Sequence, residues 1–288
     1  MEVGYRGSSS GTLEIESSTV DIGGTLNVGR ESTAMLKIKD STVDIDRRFN
    51  VGRRAGSTGT VEIEDSTLDI GRNLVVAEKA GSTGTVEIKD STLDIHDSLT
   101  LTNGGTSGIM SIKGDSIIII NEQFQMGAKG KVNAVSELVM DDGAVTVGVI
   151  SRLNMAGAAG SMADFTLNDG RWTNNGNIYV GETPRGDCNL TINGGSMASY
   201  SNIFVGSPGI DDFGQSRIFL NGGLLQGEGL EFNIKANSRI VYKGGELRIN
   251  KSALNEADMQ DLINIGKIDV PADYEITTIG DYTVLRGG

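Results

Sequence analysis

The stretch GSTGTVEIEDSTLDI at Gly56–Ile70 returns as GSTGTVEIKDSTLDI at Gly81–Ile95, with one residue changed and a shift of 25 positions. Repetition at a fixed period of about 20–50 residues is the signature of a solenoid, in which each repeat packs on its neighbours. The near-copy therefore predicts a repeat fold for this part of the chain.

Three short stretches inside the repeat show period-2 alternation: Val61–Ile63, Thr67–Ile70 and Leu74–Val76. A strand points successive side chains to opposite faces, so each stretch predicts a strand with one buried face. We expect an all-β, single-domain, right-handed parallel β-helix (β-solenoid), because crossovers between parallel strands are nearly always right-handed. The chain offers about ten three-strand coils of ~25 residues each, a period typical of solenoids.

The repeat predicts three columns of inward side chains, each stacked from coil to coil. The first strands contribute Leu13, Leu36, Val61, Val86, Met110, Leu138, Phe165, Leu190, Ile218 and Ile240. The second strands contribute Val20, Val43, Leu68, Leu93, Ile117, Val145, Trp172, Met197, Leu225 and Leu247. The third strands contribute Val28, Val51, Val76, Leu101, Met126, Met155, Val180, Val205 and Phe232.

The pattern divides the chain into a β-helix over residues 1–250 and a capping segment over 251–288. In that segment, polar and apolar spacing predicts a helix over about 255–265. Alternating residues at 267–270 and 282–285 predict strands that close the end of the stack.

Helix signals support the cap. Asn255 is an N-cap with Asp258 three residues later, which is a variant of the capping box. Leu254 and Met259 occupy the positions of a hydrophobic staple, and Gly266 suits the end of the helix. We expect this helix to cover the last coil.

The first residues match a later coil. Val3 precedes Leu13 by the same ten positions that separate Val51 from Val61, so we expect the chain to begin in the third strand of an earlier coil. Val3, Leu13 and Ile15 would then lie at an open edge that invites pairing. The alternatives are a fragment of a longer protein, or stacking on a partner or a second copy.

The composition of the chain excludes several classes of function. A net charge of −13 argues against nucleic acid, whose phosphates favour a basic surface. No long apolar run is present, so we expect no membrane span. The N-terminus lacks the pattern of a signal peptide, so an exported protein would have lost its signal. Cys188 is the single cysteine and is expected to be buried and inert.

No catalytic constellation is evident in the sequence. His96 is the only histidine, and its corner His96-Asp97-Ser98 is typical of solvated surface. A zinc site would need more histidine or cysteine ligands than the chain contains. We therefore expect no enzyme activity and no cofactor.

Calcium is the one metal ion for which the sequence offers candidate ligands. Asp21, Asp44, Asp69 and Asp94 share one outward position in four successive coils, and calcium takes several carboxylate oxygens. The alternative is a solvated column beside ordinary charge pairs. The neighbouring column favours that alternative, since it nearly alternates in sign: Glu16, Lys39, Glu64, Lys89 and Lys113.

Late coils carry outward aromatic residues. Tyr179 and Phe204 share one position on adjacent third strands, where they could stack on a sugar ring or mark a protein interface. The alternative is scattered apolar surface. Including the inter-coil loop over 206–217, the candidate ligand or interface residues are Tyr179, Phe204, Phe219, Asp211, Asp212 and Phe213.

The coils resemble the passenger repeats of autotransporter adhesins and the repeats of PEP-CTERM-type bacterial surface proteins. The matching elements are Gly-Gly and Val-Gly corners such as Asn189–Gly195 and Ile203–Gly206, and the tail around 262–268 and 280–285. The resemblance implies an exported bacterial protein used in adhesion, surface layers or fibres. The Asn-Thr-Asp, Gly-His-Gly and Arg-Ile-Lys motifs of polygalacturonases, which share the architecture, do not occur.

The sequence hypothesis is an exported structural or adhesive rod at the cell surface. Its partners would be copies of itself joined end to end, or another surface protein. The alternative is a β-helix that binds or cleaves polysaccharide with its late coils.

Overall fold

Three parallel sheets wrap around one apolar core. The computed structural model describes residues 1–5, 10–127, 133–153, 161–181, 186–206, 215–232 and 237–287. Coil follows coil along the rod, and each coil supplies one strand to each sheet. The β-solenoid predicted from the repeat is confirmed.

The strands and the helix are numbered in chain order. They are β1 (Glu2–Val3), β2 (Ser10–Glu16), β3 (Thr19–Ile22), β4 (Leu26–Val28), β5 (Thr33–Lys39), β6 (Thr42–Ile45), β7 (Phe49–Val51), β8 (Thr58–Glu64), β9 (Thr67–Ile70), β10 (Leu74–Val76), β11 (Thr83–Lys89), β12 (Thr92–Ile95), β13 (Leu99–Leu101), β14 (Ser107–Lys113), β15 (Ile117–Ile120) and β16 (Gln123–Met126). They continue with β17 (Val135–Met140), β18 (Ala144–Val147), β19 (Ile150–Leu153), β20 (Met162–Leu167), β21 (Arg171–Asn174), β22 (Ile178–Val180), β23 (Asp187–Ile192), β24 (Ser196–Ser199), β25 (Asn202–Val205), β26 (Ser216–Leu220), β27 (Leu224–Gly227), β28 (Gly229–Phe232), β29 (Arg239–Tyr242) and β30 (Glu246–Asn250). The chain ends with α1 (Glu256–Asn264), β31 (Ile268–Asp269), β32 (Glu275–Ile279) and β33 (Tyr282–Arg286).

Every third strand joins the same sheet. Sheet 1 runs from β2 through β5 and β8 to β29 and β31, sheet 2 from β3 through β6 and β9 to β30, β33 and β32, and sheet 3 from β1 through β4 and β7 to β28. The described strands form nine complete coils. The tenth predicted unit supplies only β29 and β30, because the chain then enters the cap instead of a third strand.

The register reproduces the predicted columns with two corrections. Val61 pairs with Leu36 and Val86, and both near-copies align residue for residue. In the fifth coil, the backbone pairs Ile118 with Leu93 and Val145. The prediction of Ile117 for that place is wrong, because Ile117 lies one position earlier on the strand, on its outer face, and is exposed.

In the sixth coil, the backbone pairs Leu153 with Met126 and Val180. The prediction of Met155 for that place is wrong, and Met155 itself lies outside the described residues.

Aromatic side chains fill the middle of the core. Phe124, Phe165 and Trp172 are fully buried and meet edge to face, with ring centroids of 4.8 Å between Phe165 and Trp172 and 5.0 Å between Phe124 and Trp172. Such pairs add about 0.5–1.5 kcal/mol beyond their burial.

One glycine position explains the Val-Gly corners. Gly52 follows β7 with a φ of 69°, and a Cβ there would lie 2.1 Å from the carbonyl oxygen of Thr83. The left-handed backbone and the close approach of the neighbouring corner both favour glycine. Ala77 and Thr102 take the equivalent turn with φ values of 55° and 61°.

The cap confirms the predicted helix and its start. Asn255 precedes α1, and its side chain and that of Asp258 exchange both hydrogen bonds of a capping box. Met259 is fully buried and Leu254 nearly so. The helix therefore lies against the end of the stack.

The closing strands differ in direction. β31 continues sheet 1 in parallel beside β29, whereas β33 pairs antiparallel with β30 and with β32. The sequence predicted strands at 267–270 and 282–285 but neither this reversal nor β32. An antiparallel hairpin ends the parallel stack because its own turn, at Gly280, brings the chain back on itself.

Candidate functional site

The predicted aromatic pair is real and lies on the outer face of sheet 3. Tyr179 on β22 is in register with Phe204 on β25, and their rings stack with centroids 4.7 Å apart and planes 7° from parallel. Asn177 donates a hydrogen bond of 3.0 Å from its amide to the Tyr179 hydroxyl. Both rings are partly buried, so the pair forms an ordered, amphipathic patch.

The pair belongs to one outward column along sheet 3. By register the column contains Glu2, Asn27, Asn50, Val75, Thr100, Gln125, Arg152, Tyr179, Phe204 and Glu231. Asn50 donates to the Asn27 side-chain oxygen at 2.8 Å. The column changes from amides in the early coils to aromatic rings in the late ones.

The early part of this column is more buried than the sequence predicted. Asn27, Asn50 and Val75 occupy outward positions, yet only 3%, 2% and 8% of their surfaces are exposed. Each three-residue strand lies between two corners, and around Asn50 those corners carry Arg48 and Arg53. Arginine stems can cover neighbouring surface while their guanidinium groups stay in water, and Arg48 and Arg53 line the same cleft as Asn50.

The remaining aromatic and acidic candidates lie elsewhere. Phe219 is on sheet 1, in register with Thr191 and Val241, and so faces away from the pair on sheet 3. Asp211, Asp212 and Phe213 lie outside the described residues. Of the three candidates among the described residues, the structure brings together Tyr179 and Phe204 and separates Phe219 from them.

The aspartate column aligns as predicted on sheet 2. Asp21, Asp44, Asp69 and Asp94 are direct register partners. The His96 Nε2 atom lies 2.9 Å from a carboxylate oxygen of Asp69, and Asn121 donates to Asp94 at 3.3 Å. Within the described ranges, no group of three or more histidine, cysteine or acidic side chains is arranged to hold a metal ion.

In the alternating column on sheet 1, Lys39, Glu64 and Lys89 form charge pairs as predicted, whereas Lys113 pairs with Glu87 outside the column. Glu64 accepts from Lys89 at 2.8 Å and lies 3.4 Å from Lys39. Hydrogen bonds from Lys89 and Lys39 hold the pKa of Glu64 below its usual value. These exposed pairs favour the observed register.

A cationic cleft on the sheet 3 side was missed by the sequence analysis. Its volume is about 240 Å³, and it is lined by Thr25, Arg47, Arg48, Asn50, Arg53 and Arg72. The signal was present in the sequence as two arginine pairs, at 47–48 and 53–54, in a strongly acidic chain.

A larger cleft of about 490 Å³ lies where the last coil meets the cap. Arg217, Arg239 and Lys267 are among its lining residues. Arg239 pairs with Asp269 at 3.2 Å, and burial lowers the pKa of Lys267. The positive charge of this cleft is thus partly neutralised within the protein.

The first strands of the three sheets lie at the end of the stack where the sequence predicted an assembly edge. β1 lies in sheet 3 against β4, as expected from the spacing of Val3 and Leu13. Val3 and Ile15 are buried, whereas Leu13 is only partly buried. β2 and β3 are the first strands of sheets 1 and 2.

Cys188 is buried in β23, as predicted, and does not line a cleft described above. Burial raises the pKa of its thiol far above the ordinary value. A protonated, enclosed thiol is a poor nucleophile.

No helix in the described part of the chain is both long and apolar enough to cross a bilayer. Comparisons of the chain with protein-family models, curated proteins and solved structures found no match.

Proposed function

We propose that the chain is an exported, non-enzymatic rod with a structural and adhesive role at the cell surface. The observation that carries this proposal is the continuous stack, in which each strand of sheets 1 to 3 pairs in register with the next coil. Nine coils at about 4.8 Å per coil give a stiff rod about 43 Å long. Solenoids of this kind offer long side faces on which partners bind.

The cap limits how copies could join. β31 occupies the edge of β29 and β33 occupies the edge of β30. Head-to-tail stacking would need those edges, so an endless fibre requires the cap to move. The assembly of copies end to end stays a prediction.

Adhesion can be tested with the purified chain coupled to beads. We expect the beads to be retained on surfaces coated with acidic glycan or with matrix protein, and blank beads to wash off. Lyase and hydrolase assays on acidic and neutral polysaccharides, with added calcium, should show no turnover. Turnover in these assays, or beads that are retained on no surface, would overturn the proposal.

Glycan binding through Tyr179 and Phe204 is a second candidate function. The stack presents its ring edges and its outer ring faces beside amide side chains, so a sugar ring can pack on an outer face and hydrogen-bond to the amides. We expect the Tyr179→Ala/Phe204→Ala variant to weaken glycan binding about tenfold, which corresponds to about 1.4 kcal/mol. Phe219→Ala on sheet 1 is the matched control and should bind normally.

A further inference from the structure

The arginine cleft on the sheet 3 side brings four arginine residues to one small volume. Arg47, Arg48, Arg53 and Arg72 line about 240 Å³ of space beside the buried Asn50. The whole chain has a net charge of −13, so this concentration of positive charge is a local exception. A cluster of guanidinium groups in an acidic protein is suited to bind an external anion.

Stacking of the coils brings like charges together in this cleft. The backbone N–H of Arg72 donates to the Arg47 carbonyl at 3.0 Å, so the two arginines follow one another at the same corner. Corners of adjacent coils are about 4.8 Å apart, and like charges at that spacing destabilise each other. A bound anion between them would relieve this repulsion.

Most of the cleft's positive charge has no internal partner. Arg53 pairs with Glu78 at 3.3 Å, and the nearby Arg54 pairs with Glu31 outside the cleft. In the described residues, no ion pair joins Arg47, Arg48 or Arg72 to a carboxylate, and all three side chains are exposed. Asp97 follows Arg72 at the next corner without coming within ion-pair distance. Three guanidinium groups are thus available to a ligand.

The cleft and the aromatic pair lie on the same side of the rod. Asn50 in the cleft and Tyr179 in the pair belong to one outward column of sheet 3, on β7 and β22. Five coil steps separate these strands, a distance of about 24 Å. A small ion would reach only one of the two patches, whereas a sugar polymer could contact both.

We propose that Arg47, Arg48 and Arg72 form a binding site for the carboxylate or sulfate groups of an acidic polysaccharide that lies along sheet 3. Each guanidinium presents a planar fork that matches an oxyanion. For the kind of ligand, the inference rests on the adhesive role proposed above. The location of the site rests on the cleft alone.

The test compares two double variants of equal charge. Arg48→Gln/Arg72→Gln removes two cleft guanidinium groups. Arg54→Gln/Arg171→Gln removes two exposed ones that do not line the cleft. Calorimetric titration would use polygalacturonate as the carboxylated probe and heparin as the sulfated probe, with dextran as the neutral control. Melting curves check that every variant is folded.

We expect the wild-type chain to bind at least one of the acidic polymers and not dextran. Arg48→Gln/Arg72→Gln should weaken that binding about tenfold or more, and the control pair less than about twofold. Arg48→Lys/Arg72→Lys keeps the charge without the fork, so its affinity should fall between the two. Polygalacturonate and heparin together identify which oxyanion the site prefers.

Three results would overturn the inference. They are equal losses in the two charge-matched variants, no binding to either acidic polymer, and binding of a single-stranded oligonucleotide as tight as that of the polysaccharide. If Tyr179→Ala/Phe204→Ala weakens binding while Arg48→Gln/Arg72→Gln does not, the cleft is excluded and the glycan-binding role stands. Conversely, if the cleft binds polymer and beads still fail to adhere, the adhesive role fails alone.

Discussion

Serines at one corner connect successive coils through buried hydrogen bonds. The Ser66 hydroxyl accepts the Ser41 backbone N–H at 3.1 Å and donates to the Glu64 carbonyl at 2.6 Å. The same pair of bonds recurs at Ser91, one coil later. The alternation of the strands does not predict these bonds. Their role between coils follows from the register, because each hydroxyl satisfies a donor that the adjacent coil cannot pair otherwise.

Replacing Ser66 with alanine should destabilise the rod. The variant leaves the buried Ser41 N–H without an acceptor, which costs about 1–3 kcal/mol. The urea midpoint of unfolding should fall accordingly. Ser18→Ala is the matched control, since Ser18 is exposed and its hydroxyl donates only to Glu16 among the described residues. Equal midpoints for both variants would contradict the role assigned to the corner serines.

Cys188 should react slowly in the folded protein. Burial raises the pKa of its thiol, so the reactive thiolate stays scarce between about pH 7 and 9, where an ordinary cysteine ionises. We expect alkylation by iodoacetamide to be at least about tenfold slower in buffer than in urea at the same pH, with no levelling of the rate in buffer near the pKa of an ordinary cysteine. Labelling of the native chain as fast as that of the unfolded chain, or a rate that levels off near pH 9, would contradict this. The unfolded thiol ionises at lower pH, so its contribution to stability declines as the pH rises through the unfolded pKa.

At the scale of elements, alternation predicted the strands well because one face of each strand is buried. The inward residues of the near-copies, such as Val61 and Val86, follow from that pattern alone. The pattern is ambiguous where several residues of one stretch are apolar. Leu153 lies eight residues after Val145, the same spacing as from Leu68 to Val76, and that constant spacing marks it in place of Met155. Alternation also does not indicate which outward side chains are covered by residues of the adjacent corners. Asn50 is an example, because it is buried at an outward position. The arginine cleft depends on that same relation between corners.

The start of α1 provides a test of the cap. Asn255→Ala removes the acceptor for the Asp258 N–H and should cost about 1 kcal/mol of local stability. We expect faster hydrogen exchange in residues 256–264 and little change in the coils. Asn264→Ala, at the exposed other end of the helix, is the control and should leave exchange unaltered. Uniform exchange in the two variants would show that the capping box does not stabilise the helix.

At the scale of the whole molecule, the cap prevents further copies from adding to this end of the rod. Deleting residues 251–288 removes β31 from β29 and β33 from β30, which leaves two open sheet edges. Open edges pair with other chains, so light scattering should show association that rises with concentration. Adding Val241→Lys to the shortened chain places a charge on the open edge of β29 and should reduce the association. A shortened chain that stays monomeric throughout would contradict this role of the cap.

The alternation of charge on sheet 1 restricts how a rod of this kind can change length. Lys39, Glu64 and Lys89 follow one another, and both lysines contact the glutamate between them. One extra copy of residues 56–80 would set Glu64 against a second Glu64, and loss of that unit would set Lys39 against Lys89. A duplicate of residues 56–105 sets Lys89 against the second Glu64, so opposite charges meet at the new contact in this column. Internal duplication therefore lengthens this part of the rod most readily two coils at a time, in steps of about 10 Å.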